Sequence, residues 1–156
     1  MKKIISITLL VIWLVLIFCL SNDNGVESSN KSDNIASFIV SKVNSITGHD
    51  TLDNDFIIEV DNIIVIVRKI AHFLEYFILG ILVLNVLNCY KIISIRLVII
   101  AILFCFTYAI SDEIHQLFVQ DRTGKFTDAI IDTTGSIIGT SIFYILAKRK
   151  KEQTNS

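Results

Sequence analysis

Four long apolar segments separate the polar parts of this 156-residue chain and restrict how it can fold. They cover approximately residues 4–20, 63 or 69 to 87, 97–118 and 126–147. Each is about 20 residues long, the length of an α-helix that crosses a hydrocarbon core of roughly 30 Å. With 53% hydrophobic residues and a mean hydropathy of +0.64, the chain is predicted to be an all-α integral membrane protein that forms a four-helix bundle.

Positively charged residues indicate the direction in which these segments cross. Lys2 and Lys3 precede the first segment. Lys91 and Arg96 lie between the second and third, and a basic tail, 148–156, follows the fourth. All three groups fall on one side if every segment crosses, and positive residues favour the cytoplasmic side. We therefore expect cytoplasmic N and C termini.

The first segment shares the outline of a secretory signal, because a short basic stretch precedes its apolar residues. It has no convincing small-residue cleavage site, and bulky Phe18 precedes Cys19 where a lipoprotein signal has a small residue. We expect residues 1–21 to be an uncleaved first transmembrane anchor.

Residues 22–62 are then expected to form a long acidic loop outside the cell. They contain eight acidic residues and two lysines, which suits an exported segment. Apolar residues at helical spacing within 35–46, and a second apolar patch at 56–60, predict one or two short helices on the outer membrane surface. A loop that packs on the bundle as a cap is the alternative.

Ionisable residues stand inside three of the apolar segments, where a charge costs about 2.5–3.5 kcal/mol on insertion scales. Uncharged runs of 13 to 15 residues separate Glu75, Asp112 and Asp132 from the predicted cytoplasmic end of their segments. At a rise of about 1.5 Å per residue, each acid lies roughly 20 Å from that end. We expect the three acids to meet at one level, in the outer third of the bilayer.

Helical spacing also predicts that the polar residues share faces that point into the bundle. Gly135 and Gly139 continue the acidic face of the fourth segment and permit close approach of another helix. Gly124 allows a tight external turn that brings Arg122 towards the acids. The candidate ligand-binding residues are Arg68, Lys69, His72, Glu75, Tyr76, Asp112, Glu113, Gln116, Arg122, Asp128 and Asp132.

The order of these residues resembles the VanZ-like family. The resemblance covers residues 63–147 as a three-span core and implies a multi-pass protein of the bacterial cell membrane. The family is named for a member linked to teicoplanin resistance, and the name supplies no reaction. The matching motifs are Arg68-Lys-x-x-His72-Phe-x-Glu75-Tyr76-x-x-Leu79-Gly80, Asp112-Glu113-x-His115-Gln116-x-Phe118, Arg122-x-Gly124 and Asp128-x-x-x-Asp132-x-x-Gly135-x-x-x-Gly139.

Two readings of the charged residues involve no chemical reaction. In one, an outward-facing site lowers glycopeptide susceptibility by binding a lipid-linked cell-wall precursor, another lipid head group or the drug. Arg68, Lys69 and Arg122 would then hold phosphate or carboxylate groups. In the other, the charges pair with one another and only fix the register of the helices.

A third reading is an intramembrane acid–base enzyme that acts on a lipid or cell-wall precursor. His72, Glu75, Asp112 and Glu113 are the candidate catalytic residues. The enzyme question stays open, although the residues favour a non-enzymatic role. No His-Glu-x-x-His or cysteine–histidine framework is present, so no metal or other cofactor is expected. No basic patch with interleaved aromatic residues is present, so nucleic acid is not an expected partner.

Overall fold

A computed structural model describes residues 1–22, 38, 54–90, 94–120 and 124–155. These residues contain four long α-helices, which are α1 (Lys2–Ser21), α2 (Asn54–Asn88), α3 (Ile95–Gln116) and α4 (Phe126–Asn155), and no strand. Each helix includes a stretch long and apolar enough to cross a membrane. The predicted all-α fold with four membrane-spanning helices is confirmed.

The ends of α1 and α3 agree with the predicted segments to within two residues, whereas α2 begins earlier than expected. It starts at Asn54, so the apolar patch at 56–60 continues into the membrane-spanning helix. Proline is absent from the chain, and the first glycine in α2 is Gly80, so no helix-breaking residue separates the patch from the span. The surface helix predicted within 35–46 lies outside the described residues, apart from Phe38.

The fourth helix also extends beyond its predicted apolar segment. It continues to Asn155, so most of the basic tail predicted over 148–156 is helical. Lysine, arginine, glutamate and glutamine are good helix formers, and no glycine or proline follows Gly139. Hydropathy therefore locates the apolar part of this helix but not its end.

Helices α2 and α4 make the most extensive contact in the bundle. A Cβ atom added to Gly135 or Gly139 would collide with the carbonyl oxygens of Phe73 or Phe77, respectively. A Cβ atom added to Gly80 of α2 would lie 2.6 Å from the Ser136 carbonyl oxygen of α4. The close approach predicted from the two α4 glycines is confirmed, and it brings the polar faces of both helices together.

Helix α1 packs on α2 and α3, so these two helices lie between α1 and α4. Two hydrogen bonds fix the middle of this helix. Trp13 Nε1 donates to the Glu75 carbonyl oxygen at 3.0 Å, and the Tyr108 hydroxyl donates to the Leu14 carbonyl oxygen at 2.9 Å. A third bond, from the Gln116 amide to the Ser21 hydroxyl, holds the end of α1 beside the polar residues of α3.

Candidate functional site

Polar side chains are buried at the end of the bundle where α1 and α3 end and α4 begins. Each of them is at most 7% exposed. They come from α2, α3 and α4, so the cluster requires the assembled bundle. We call them the polar cluster, which consists of Tyr76, Asp112, Glu113, Gln116 and Asp132.

The acidic residues of three helices act on one another within this cluster. Asp132 lies within electrostatic range of Glu113, Asp112, Glu75 and Asp128. Glu75 of α2 and Asp112 of α3 are therefore both within electrostatic range of Asp132 on α4. This is the arrangement that the equal uncharged runs predict for these three acids.

Gln116, a cluster residue of α3, is tied to the end of α1. The Gln116 amide donates to the Ser21 hydroxyl and to Asp112 Oδ2, at 3.2 Å in each case. His115, in the same turn, stacks on the Phe18 ring with 4.9 Å between ring centroids, and its Nε2 atom lies 3.3 Å from Asn22 Oδ1. Gln116 and His115 thus help to join the first helix to the three-helix core.

Glu113 stabilises the entry to α4. Its Oε2 atom accepts a hydrogen bond from the backbone N–H of Lys125 at 2.6 Å, one residue before the helix begins. Gly124 packs against the Glu113 carbonyl oxygen so closely that a Cβ atom there would collide with it. Asp128 lies in the first turn of α4, where the helix dipole favours a negative charge. Glu113 and Asp128 therefore both have structural roles.

Tyr76 and Asp132 differ from these residues. Both side chains are fully buried. Within the described part of the chain, the Tyr76 hydroxyl and both carboxyl oxygens of Asp132 lack a hydrogen-bond partner. An unsatisfied buried polar group costs about 1–3 kcal/mol, and a charged one costs more. The described packing therefore provides no hydrogen bond that offsets the burial of these three oxygen atoms.

The remaining predicted residues of α2 lie at the edge of the cluster. His72 Nδ1 is 3.7 Å from Glu75 Oε2, and both side chains are less than one-fifth exposed. Arg68 is half-buried and acts electrostatically on Glu113, whereas Lys69 is exposed. Arg122 lies outside the described residues. Within the described ranges, no group of three or more His, Cys, Asp or Glu side chains is arranged to hold a metal ion.

A groove of about 180 Å³ lies between α3 and the beginning of α4. Its walls are mainly apolar, and Ile114, Leu117 and Phe126 are all more than half exposed. Glu113 supplies the charged part of the lining. The groove therefore joins an apolar outer surface to one carboxyl of the polar cluster.

The contribution of α1 to this region is the part that sequence reasoning missed. Trp13 and Tyr108, which are not among the candidate residues, both donate hydrogen bonds to the backbone of a neighbouring helix. Ser21 and Asn22, at the predicted boundary between the first span and the acidic loop, contact Gln116 and His115. The sequence did contain a signal for these contacts, because the polar pair Ser21 and Asn22 lies at the same predicted membrane level as the acids of α3.

Comparison with known proteins gives the family of the chain. No curated protein and no solved structure matches it significantly. The family model described as VanZ/LLP1 matches residues 6–147, which include most of α1, all of α2 and α3, and the part of α4 that carries Asp132. The chain therefore belongs to the VanZ/LLP1 family.

Proposed function

We propose that this membrane protein binds the polar head group of a lipid-linked envelope component in the polar cluster. By that binding, the protein lowers the susceptibility of a bacterial cell to a glycopeptide such as teicoplanin. The observation that carries the proposal is the burial of Asp132 and Tyr76 with three oxygen atoms that have no hydrogen-bond partner within the described ranges. Polar groups at membrane depth generally face partners or mark functional sites.

The basic residues of the chain support an orientation for this site. Lys2 and Lys3 begin α1, and Arg96 lies in the first turn of α3, so all three lie at the opposite end of the bundle from the polar cluster. The positive-inside tendency supports a position of the cluster in the outer half of the membrane, where envelope precursors and glycopeptides meet the cell. Reporter fusions test this: a periplasm-type reporter inserted near residue 30 should be active, and one fused after residue 156 should not.

Expression in a teicoplanin-susceptible bacterial strain tests the function. Wild-type protein should raise the minimum inhibitory concentration of teicoplanin, whereas Asp132→Asn and Tyr76→Phe should lose most of that increase. Glu152→Gln is the matched control, because it removes one negative charge from an exposed position at the far end of α4. Immunoblots of the membrane fraction establish that all variants accumulate equally. A wild-type protein that changes neither susceptibility nor the pools of lipid-linked precursors would refute the proposal.

An intramembrane acid–base enzyme is the second candidate, and the His72–Glu75 pair favours it. The two side chains lie 3.7 Å apart, one helical turn from each other, and both are largely shielded from solvent. Such a pair can transfer a proton to or from a bound substrate. Purified protein incubated with lipid-linked cell-wall precursors should then form a product, and His72→Gln should abolish its formation. Turnover that persists in this variant would remove the pair from the mechanism.

A further inference from the structure

We propose that Asp132 and Tyr76 form a binding site for a primary ammonium group carried on the head group of a membrane lipid. This inference deepens the proposed function and rests on it, because it specifies the chemistry of the head group that the polar cluster binds. The site is made by two fully buried side chains, one from α4 and one from α2.

The number of hydrogen-bonding atoms matches an ammonium group. The Tyr76 hydroxyl and both Asp132 carboxyl oxygens are acceptors that lack a partner in the described part of the chain. The two residues are close enough to interact electrostatically. A primary ammonium group has three N–H donors and no acceptor, so it satisfies three such oxygens at once. A phosphodiester or a carboxylate, which only accepts hydrogen bonds at neutral pH, would leave the Asp132 oxygens without donors.

The local charge favours the same ligand. The acids Glu113, Asp112, Glu75 and Asp128 all lie within electrostatic range of Asp132. The cation Arg68 lies within electrostatic range of Glu113. A bound positive charge relieves the mutual repulsion of these acids, and a charge-assisted hydrogen bond is roughly twice as strong as a neutral one.

Two aromatic rings beside Asp132 and Asp112 favour an organic cation over an inorganic one. The ring centroids of Tyr76 and Tyr108 are 6.2 Å apart. The Tyr108 ring is held in place because its hydroxyl donates to the Leu14 carbonyl oxygen. Aromatic faces attract ammonium groups, whereas hard divalent ions require six or more oxygen ligands.

The groove between α3 and α4 indicates that the amine arrives on a lipid. Its walls include Ile114, Leu117 and Phe126, which suit an acyl chain, and Glu113 lies in its lining. Ala129, one helical turn before Asp132, also lines the groove. A lipid in the groove would therefore present its head group beside Glu113 and the turn of α4 that precedes Asp132.

Lipid binding to the full-length protein tests the inference. The protein is reconstituted in phosphatidylglycerol nanodiscs, and phosphatidylethanolamine or its N-acetyl derivative, which lacks the positive charge, is added at increasing mole fraction. Fluorescence of Trp13, the single tryptophan of the chain, reports binding because its ring N–H contacts the carbonyl group adjacent to Tyr76. Ethylammonium chloride and sodium chloride are added separately as soluble competitors at equal ionic strength.

Wild-type protein should bind phosphatidylethanolamine in preference to the N-acetyl lipid. Asp132→Asn should weaken that binding by about tenfold or more, because a hydrogen bond to a charged group is lost, and Tyr76→Phe by about threefold. Glu152→Gln should bind as wild type does. If Asp132→Asn fails to fold, Tyr76→Phe and the comparison of the two lipids in wild-type protein still test whether the site recognises the ammonium group.

Three results would overturn the inference. Equal binding of both lipids would exclude recognition of the charge, and competition by sodium as strong as that by ethylammonium would assign the site to an inorganic cation. If the protein binds ethylammonium but not phosphatidylethanolamine, the claim that the ammonium group is carried on a lipid is refuted. The failures remain distinguishable: amine selectivity without a change in teicoplanin susceptibility refutes the proposed resistance role alone, and Asp132-dependent resistance without amine selectivity refutes this inference alone.

Discussion

Gly80→Ala should destabilise the bundle by separating α2 from α4. The new Cβ atom would lie 2.6 Å from the Ser136 carbonyl oxygen, about 0.8 Å inside the 3.4 Å at which ordinary contact begins. The obstacle is a backbone atom in the middle of a helix, so rotation of a side chain cannot relieve the collision. The two helices must therefore move apart by several tenths of an ångström along their most extensive contact.

The expected loss of stability follows from the helix packing that this separation disrupts. Overpacking of a well-packed core generally costs 1–3 kcal/mol, so the packing penalty of Gly80→Ala is about 2 kcal/mol. Alanine favours a helix over glycine by about 1 kcal/mol in water, so we expect a net decrease of about 1 kcal/mol in the free energy of unfolding. Replacing Ser136 by glycine should give no rescue, since the blocking atom belongs to the backbone.

Equilibrium unfolding in mixed micelles measures the effect, with dodecyl sulfate as denaturant and circular dichroism as the signal. Ser111→Thr is the matched control, because it adds one methyl group at an exposed position of α3 and retains the hydroxyl group. Gly139→Ala should cost at least as much as Gly80→Ala, because its Cβ atom would collide more deeply with a backbone carbonyl. If Gly80→Ala unfolds at the same dodecyl sulfate concentration as Ser111→Thr and wild type, the close approach of α2 and α4 is refuted.

Other changes test the hydrogen bonds that surround the cluster in the same assay. Trp13→Phe removes the donor to the Glu75 carbonyl oxygen and should lower the free energy of unfolding by about 1 kcal/mol; an unchanged transition would mean that this bond contributes nothing. Glu113→Ala should lower the free energy of unfolding by about 1–2 kcal/mol, because the Lys125 N–H loses its acceptor. Glu113→Gln retains an acceptor and should lower it by less than half as much. Equal losses in the two variants would contradict the capping role of Glu113. Gln116→Leu removes the amide that donates to the Ser21 hydroxyl and to Asp112 Oδ2, so it should lower the free energy of unfolding by about 1–3 kcal/mol. A stabilised variant would show that the link between α1 and α3 is dispensable.

The number of helices was predictable because membrane length and hydropathy impose strong limits on an apolar segment. The start of α2 and the end of α4 were not predictable on the same basis. Residues 54–62 are partly acidic and residues 148–155 are basic, so neither stretch resembles a span, although both continue a helix. Helix propensity and the absence of a breaker determine where a helix ends, whereas hydropathy determines only which part is apolar.

The meeting of acids from α2, α3 and α4 was predictable because equal uncharged runs place Glu75, Asp112 and Asp132 at similar depths. The distinction between acids that have partners and acids that do not was inaccessible to that reasoning. The Gln116 bond to Ser21 joins residues 95 positions apart in sequence. The Glu113 bond to the Lys125 N–H depends on the conformation of the turn between α3 and α4. Both contacts depend on tertiary packing and leave no periodic pattern in the sequence.

A purely structural role accounts for several of the buried polar groups. Ser136 and Thr140, on α4 beyond Asp132, donate to carbonyl oxygens of their own helix. Asp112 accepts from Gln116. Neither oxygen of the Asp132 carboxyl has a hydrogen-bond partner within the described ranges. An apolar residue of similar size would serve helix packing at lower cost, and the proposed binding of an external donor would account for an aspartate at this position.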